Sequence, residues 1–345
     1  MRRRRVIITI GIFLFMVAGV GLTVAALTRR DLTPAQNPLL GKTLYVDSNR
    51  VANKTAQQYR ADNDITNAMY MERISDRPGT TWLIGPSASD PKADHDIAMV
   101  ARTSAEAYNQ GAVPVYEMYA IPGRDACAGY SKSGFQTSDD YLAWVDRILA
   151  ATKQPAVFSV EADAIAQTIH DSCLTQKQIA DRYQLLEATM KKLSMSPMVL
   201  AAYLDAGHSE WFPDPTALVG PLERSGVSYG RGIAVNVSFF VPTSDAVLWS
   251  QKLLNMIGGN KAAIIDTSRN GKGAPDPSIK GDERWCNPEG RGLGDVPTTD
   301  TKANNIDAFV WIKNVGESDG SCNGYPTAGT FVPELAIDLA RNAKE

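Results

Sequence analysis

What the chain has little of narrows its chemistry. Its 345 residues hold four cysteines, Cys127, Cys173, Cys286 and Cys322, and no two form a CxxC pair, which argues against a zinc site. Only three histidines occur, His95, His170 and His208. HExxH is missing, as are a GxSxG nucleophile elbow and a P-loop. Lys and Arg number 35 against 38 Asp and Glu, giving a net charge of −3, a pI near 5.8 and no basic patch, so nucleic acid is not an expected partner. There is no internal repeat and no low-complexity segment. A hydrolase built from such an inventory has to work with carboxylates.

What is present begins with an address. Arg2 to Arg5 precede an apolar run over residues 6–27, and Arg29 and Arg30 follow it. A positive stretch before an apolar run is an export signal. At about 22 residues the run is also long enough to span a bilayer, with the arginines keeping its N-terminus inside. Residues 1–30 therefore read as a signal or membrane-anchor segment. A weak cleavage pattern at 23–25 leaves both fates open: a membrane-anchored protein with its catalytic domain outside the cytoplasm, or a secreted one. Residues 31–41, polar and carrying Pro34 and Pro38, read as a linker. The globular domain spans 42–345. Outside the cytoplasm disulfides persist. Four cysteines allow three pairings, of which Cys127–Cys173 with Cys286–Cys322 closes the shortest loops.

Seven short apolar runs follow: 81–84, 113–119, 156–160, 198–204, 232–237, 262–265 and 308–312. They are rich in β-branched residues and apolar nearly throughout, as strands buried on both faces should be. Helical patterns separate most of them, over 91–110, 139–152, 175–193, 215–225 and 244–257, and a last one covers 333–342. Asp90 and Ser138 read as the N-caps of the first two, with Pro91 at a first helical position. Repeated βα units predict an α/β fold with a parallel sheet and right-handed crossovers. Seven strands suggest a distorted, closed or nearly closed (β/α) barrel of the TIM type, one strand short of eight.

Almost every run ends in polar residues: Tyr119, Arg124 and Asp125; Asp163; Asp205 and His208; Asn236; Asp266 and Arg269; Lys313, Glu317 and Asp319. In a βα barrel these strand ends share one face, where active sites are built. Carboxylates scattered through the chain can therefore meet in one cleft. Glycoside hydrolysis needs one protonated acid for the leaving oxygen and one carboxylate handling water. Trp82, Trp211 and Trp285, on or just beyond strand ends, suit the faces of sugar rings.

The ordered set IPGRDACAGYS, SVEADAIA, YLDAGHSEW, GIAVNVS, IIDTSRNGKG, RWCNPEGRGLG and DAFVWIKNVGESDGSC resembles that of glycoside hydrolase family 6, the endoglucanases and cellobiohydrolases, over about residues 44–340. The resemblance implies inverting hydrolysis of β-1,4-glucan by a single displacement, with no metal or cofactor. It makes Asp163 the general acid and Asp125 the carboxylate that raises the acid's pKa and helps take the water's proton. Asp319 is the other candidate base, and Asp205 a supporting acid of the cleft. Tyr119 would favour ring distortion. His208, Asn236, Lys313 and Glu317 would contact sugar hydroxyls, with Trp82, Trp211 and Trp285 as stacking platforms. It also implies the sequential disulfide pairing.

Three departures stand out. Ala162 replaces the usual proline of the general-acid motif, which should free the backbone before Asp163. Ala126 separates Asp125 from Cys127, leaving open whether Ser131 or Ser133 is the family's mobile-loop serine. Phe239 stands where asparagine is common. The segments 127–141 and 270–285 are short, which by the same resemblance implies an open cleft and mid-chain cutting by a monomeric endoglucanase. Another cell-envelope β-glucan, or glucan binding without turnover, are the alternatives.

Overall fold

The computed structural model describes residues 36–170 and 173–344. The signal or anchor segment and residues 31–35 of the expected linker lie outside them. Among the described residues no helix is long and apolar enough to cross a membrane. Residues 37–42 turn against the domain, with Leu39 fully buried and the Asn37 side chain donating to the Asp307 carbonyl at 2.8 Å.

All seven expected strands form: β1 (Thr81–Leu83), β2 (Val115–Met118), β3 (Ala156–Val160), β4 (Val199–Asp205), β5 (Gly232–Val235), β6 (Ala262–Asp266) and β7 (Ile306–Val310). They make one sheet in chain order, and every pair is parallel. The barrel is less closed than expected. Among the described residues β7 does not pair with β1. Two bonds to the residues just after β7 cross the seam: Thr80 N donates to Trp311 O at 3.2 Å and Trp82 Nε1 to Ile312 O at 2.7 Å.

Although β2, β3, β5 and β6 are buried throughout, their residues still alternate between two cores, because successive side chains leave opposite faces. Tyr116, Met118, Phe158, Val160, Leu204, Ile233 and Ile265 face the helices. Val115, Val157, Ala201, Tyr203, Ala234, Ile264 and Ala308 fill the barrel. Each large side chain so buried contributes about 1.5–3 kcal/mol. β5 and β6 approach so closely that a Cβ on Gly232 would lie 1.8 Å from the Ala262 carbonyl oxygen, so no side chain fits there.

Ahead of β1 lie two helices that the sequence pattern did not reveal, α1 (Val51–Ala61) and α2 (Ile65–Ser75). They share a small apolar cluster with the C-terminal helix, through Ala52, Met71, Ile74, Leu335 and Leu339. The crossover helix α3 (Asp94–Gln110) starts later than read. Ala93 turns through φ 53°, and the Asp90 carboxylate still serves its first turn, accepting from Asp94 N at 2.9 Å and His95 N at 2.8 Å. In α4 (Ser138–Ala151) the cap is Thr137, one residue before the one expected; its hydroxyl accepts from Asp140 N. α5 (Gln176–Met195) opens with a capping box of Thr175 and Gln178. Both disulfides have the sequential pairing, Cys127–Cys173 and Cys286–Cys322.

Candidate active site

The carboxyl ends of the strands open onto a cleft of about 1000 Å³. Its floor includes the turn after β3, which carries Asp163. Glu161 and Asp163 both have positive φ, 57° and 67°, a region that costs a non-glycine residue about 1–3 kcal/mol unless its surroundings enforce it. They do. Asp163 N donates to Asp205 Oδ1 at 2.9 Å, and Ala162 N to Glu117 Oε1 at 3.1 Å. The Glu161 carboxylate accepts from Ala120 N and Ile121 N at 3.1 Å and from Tyr141 Oη at 2.7 Å. Ala162 therefore does not free the backbone before Asp163: its amide is held.

Three acids beneath this turn are almost completely shielded from water, and burial pushes their pKa values up. Asp205 rises to about 7, burial first and the charge of Asp266 adding to it. Glu161 also rises to about 7, and Glu117 well above the ordinary value. Between the unfolded values near 4 and the raised folded values, about 7 for Asp205 and Glu161, the native protein binds more protons than the unfolded chain. Raising pH through this window therefore removes stability. We expect the melting temperature to fall between pH 5 and pH 8 in differential scanning calorimetry; a rise over that window would mean these acids are ionised without penalty.

Asp125 follows β2 in a left-handed turn (φ 49°). Its Oδ2 accepts from Ser131 N at 2.6 Å and Ser131 Oγ at 3.0 Å, and Ser131 Oγ also lies 3.0 Å from Tyr119 Oη. Ser133 instead reaches the Pro86 carbonyl at the surface, so Ser131 is the serine that faces the cleft. Burial, then the charges of Asp163 and Asp125, raise the Tyr119 pKa. Arg124 lies over the Tyr119 ring at 4.7 Å and donates to Ser131 O at 2.9 Å, tying the start of this loop to its return.

Across the cleft, Asp319 is an anion between two cations. Arg269 Nη1 lies 2.8 Å from Oδ2 and Lys313 Nζ 3.1 Å from Oδ1, and Asn287 N donates at 3.0 Å. Burial acts to raise its pKa, but the two cations and their hydrogen bonds leave it below the ordinary value. Nearby Glu317, pushed up mainly by burial, accepts from Asn314 Nδ2 at 3.2 Å.

Trp82, Trp211 and Trp285 all line the cleft, as do Tyr119, Asp125, Asp163, His208, Lys313, Glu317 and Asp319. Trp82 meets Tyr119 edge-on at 5.2 Å. The His208 ring is sandwiched, with Phe239 at 3.7 Å and Trp211 at 4.6 Å. Two expected residues stand back from the wall. Asp205 is 1% exposed and reaches the site through Asp163 N. Asn236 is fully buried; its amide bonds to Val241 N, Val241 O and Asp266 O, which shapes the loop after β5. The two short loops also meet: Tyr130 Oη donates to the Asp282 carboxylate, and its ring packs edge-on to Trp285 at 5.5 Å. Among the described residues no group of His, Cys, Asp and Glu is suited to hold a metal.

Sequence reasoning left Glu117 and Glu161 unnoticed and gave Arg269 no role. The signal for Glu117 was there, a lone carboxylate inside the apolar run VPVYEMY. A glycosyl hydrolases family 6 model matches residues 39–343. The chain belongs to that family. It is 37% identical over 292 residues to endoglucanase A of Cellulomonas fimi, covering 84% of this chain and 60% of that protein. It is 34% identical over 329 residues to endoglucanase A of Thermobispora bispora, covering 94% and 67%. The chain thus spans roughly two thirds or less of these two relatives. Among family 6 structures, that of an endoglucanase from Mycobacterium tuberculosis, solved with a methyl-cellobiosyl-4-deoxy-4-thio-β-D-cellobioside, matches with a TM-score of 0.79 at 38% identity, covering 89% of this chain and 99% of that one. The family 6 endoglucanase of Humicola insolens gives 0.73 at 25% identity, covering 90% and 99%.

Proposed function

We propose that this family 6 protein is an inverting endo-β-1,4-glucanase acting on cellulose-like glucan outside the cytoplasm. The observation that carries the reading is that Asp125, Asp163 and Asp319 line one cleft in unequal surroundings. Relatives named as endoglucanases, and a thio-linked cello-oligosaccharide in a similar structure, supply the substrate class. Asp163 protonates the leaving glycosidic oxygen while water attacks the opposite face of the sugar. Asp319, held ionised by Arg269 and Lys313, is a poor proton acceptor and suits the positive charge developing on the ring. Asp125, with Ser131 beside it, takes the water's proton. Two disulfides fit export to an oxidising compartment. Short loops favour mid-chain cutting, with a glucan entering the cleft past the contacts of Tyr130 with Asp282 and Trp285.

The test is carboxymethyl-cellulose viscosity followed together with reducing ends, and the anomer of the first product read by NMR. A steep viscosity fall per bond cut and an α-anomer product are expected. A β-anomer would contradict inversion. A folded but inert protein would favour another cell-envelope β-glucan or binding without turnover.

A further inference from the structure

Glu117 is a fully buried acid of the barrel interior that the chemistry above does not use. It sits in the middle of β2, fully buried, in register with Ser159 on β3. An isolated carboxyl group in such a place is costly unless hydrogen-bonded. Its Oε1 accepts from Ala162 N at 3.1 Å, the amide one residue before Asp163. The next amide, Asp163 N, donates to Asp205 Oδ1 at 2.9 Å. Two successive peptide groups are thus held by carboxyl groups from the strands on either side, β2 and β4. Fixing both brackets the torsions of Ala162 and sets the direction in which Asp163 leaves the backbone, at φ 67°. A proline at 162 would have no N–H to give, and its ring would restrict the same torsion instead. Glu117 and Ala162 therefore act as a pair.

We propose that Glu117 is a positioning residue for Asp163, acting through the Ala162 peptide. The inference rests on the reading of Asp163 as general acid, and it deepens that reading. A group that only aims the acid has a signature: its loss harms substrates whose leaving group needs a proton and spares those whose leaving group does not.

The experiment compares the full-length chain with Glu117→Val, Glu117→Gln, Ala162→Pro and the double variant Glu117→Val/Ala162→Pro. Kinetics are taken on cellopentaose and on a 2,4-dinitrophenyl cello-oligoside, and exchange of the Ala162 amide is followed by NMR on ¹⁵N-alanine-labelled protein. Glu117→Val should lower kcat on cellopentaose by about 10- to 100-fold, the scale of a misplaced reacting group, with KM little changed and the dinitrophenyl substrate largely spared. Glu117→Gln keeps the acceptor and should rescue activity. The double variant should be faster than either Glu117→Val or Ala162→Pro alone. The Ala162 amide should be protected in wild type and in Glu117→Gln, and exposed in Glu117→Val. Equal losses on both substrates, a Gln variant as slow as Val, or an additive double variant would overturn the proposal. If wild type cleaves neither substrate, the functional reading falls. The amide still decides the positioning: rapid exchange in wild type overturns it whether or not Glu117→Val folds.

Discussion

Asp163→Asn is expected to lower turnover of cello-oligosaccharides by more than about 100-fold, the typical scale for losing a general acid. Asparagine is the informative replacement. It keeps the size of the side chain and tolerates the left-handed backbone that Asp163 adopts at φ 67°. It also leaves the Asp163 amide free to donate to Asp205 as before. The fold should therefore survive with a melting temperature within a few degrees of wild type, and the kinetic loss reports chemistry. Binding should persist, so KM changes less than kcat. A dinitrophenyl leaving group, which departs without a proton, should recover much of the lost rate. If Asp163→Asn cleaves cellopentaose at close to the wild-type rate, the acid lies elsewhere and the assignment of the three cleft carboxylates has to be redrawn.

The parts of this molecule legible in its sequence are those whose surroundings are simple. A strand covered on both faces has to be apolar throughout, so β2 to β6 announce themselves as short hydrophobic runs, and the order of the sheet follows from right-handed crossovers. The openness between β1 and β7 was not legible, because closure depends on how far the seven strands tilt and not on which residues they contain. α1 and α2 were missed because each buries few residues, Ala52 and Ala56 in the first, and their small apolar face is completed by the C-terminal helix (Pro333–Arg341), nearly 300 positions away. Helix starts slipped where a polar side chain acts over a distance, as Asp90 does by capping α3 from beyond a left-handed turn at Ala93.

The site shows the same division. Residues that meet the cleft directly were visible, because polar side chains at strand ends have few other reasons to be there. Asn236 had one: its amide is consumed by the backbone of its own loop, a role that a strand-end position cannot distinguish from sugar binding. The supporting layer was hidden. Glu117 lies inside β2, where its lone carboxylate in an apolar run says that it is buried but not what it holds. Ala162 in place of proline reads as a loss of rigidity in the sequence alone, because the Glu117 carboxylate that holds its amide lies 45 positions earlier. Ser131 could be told from Ser133 only by seeing which one reaches both Asp125 and Tyr119.

Asp319→Asn should be damaging in a different way from Asp163→Asn, on both stability and rate. The wild-type carboxylate lies within hydrogen-bond distance of Arg269 and Lys313, whose side chains are only 4% and 10% exposed. Asparagine keeps the shape and removes the charge, leaving two cations buried side by side. Breaking a buried ion pair from one partner costs about 3–5 kcal/mol, so a clear fall in melting temperature is expected, partly relieved by added salt. The rate should fall by about 10²–10³-fold, the scale for losing one preorganised electrostatic contact. The transition state of glycoside hydrolysis is positive on the sugar ring, and in the variant it would face Arg269 and Lys313 with no anion between. Because this penalty falls on the ring and not on the leaving group, the dinitrophenyl substrate should suffer as much as cellopentaose. That contrast separates the two carboxylates experimentally. A destabilised Asp319→Asn that still turned over cellopentaose normally would reduce Asp319 to a partner for its two cations, and the developing charge would then have to be met by Asp125.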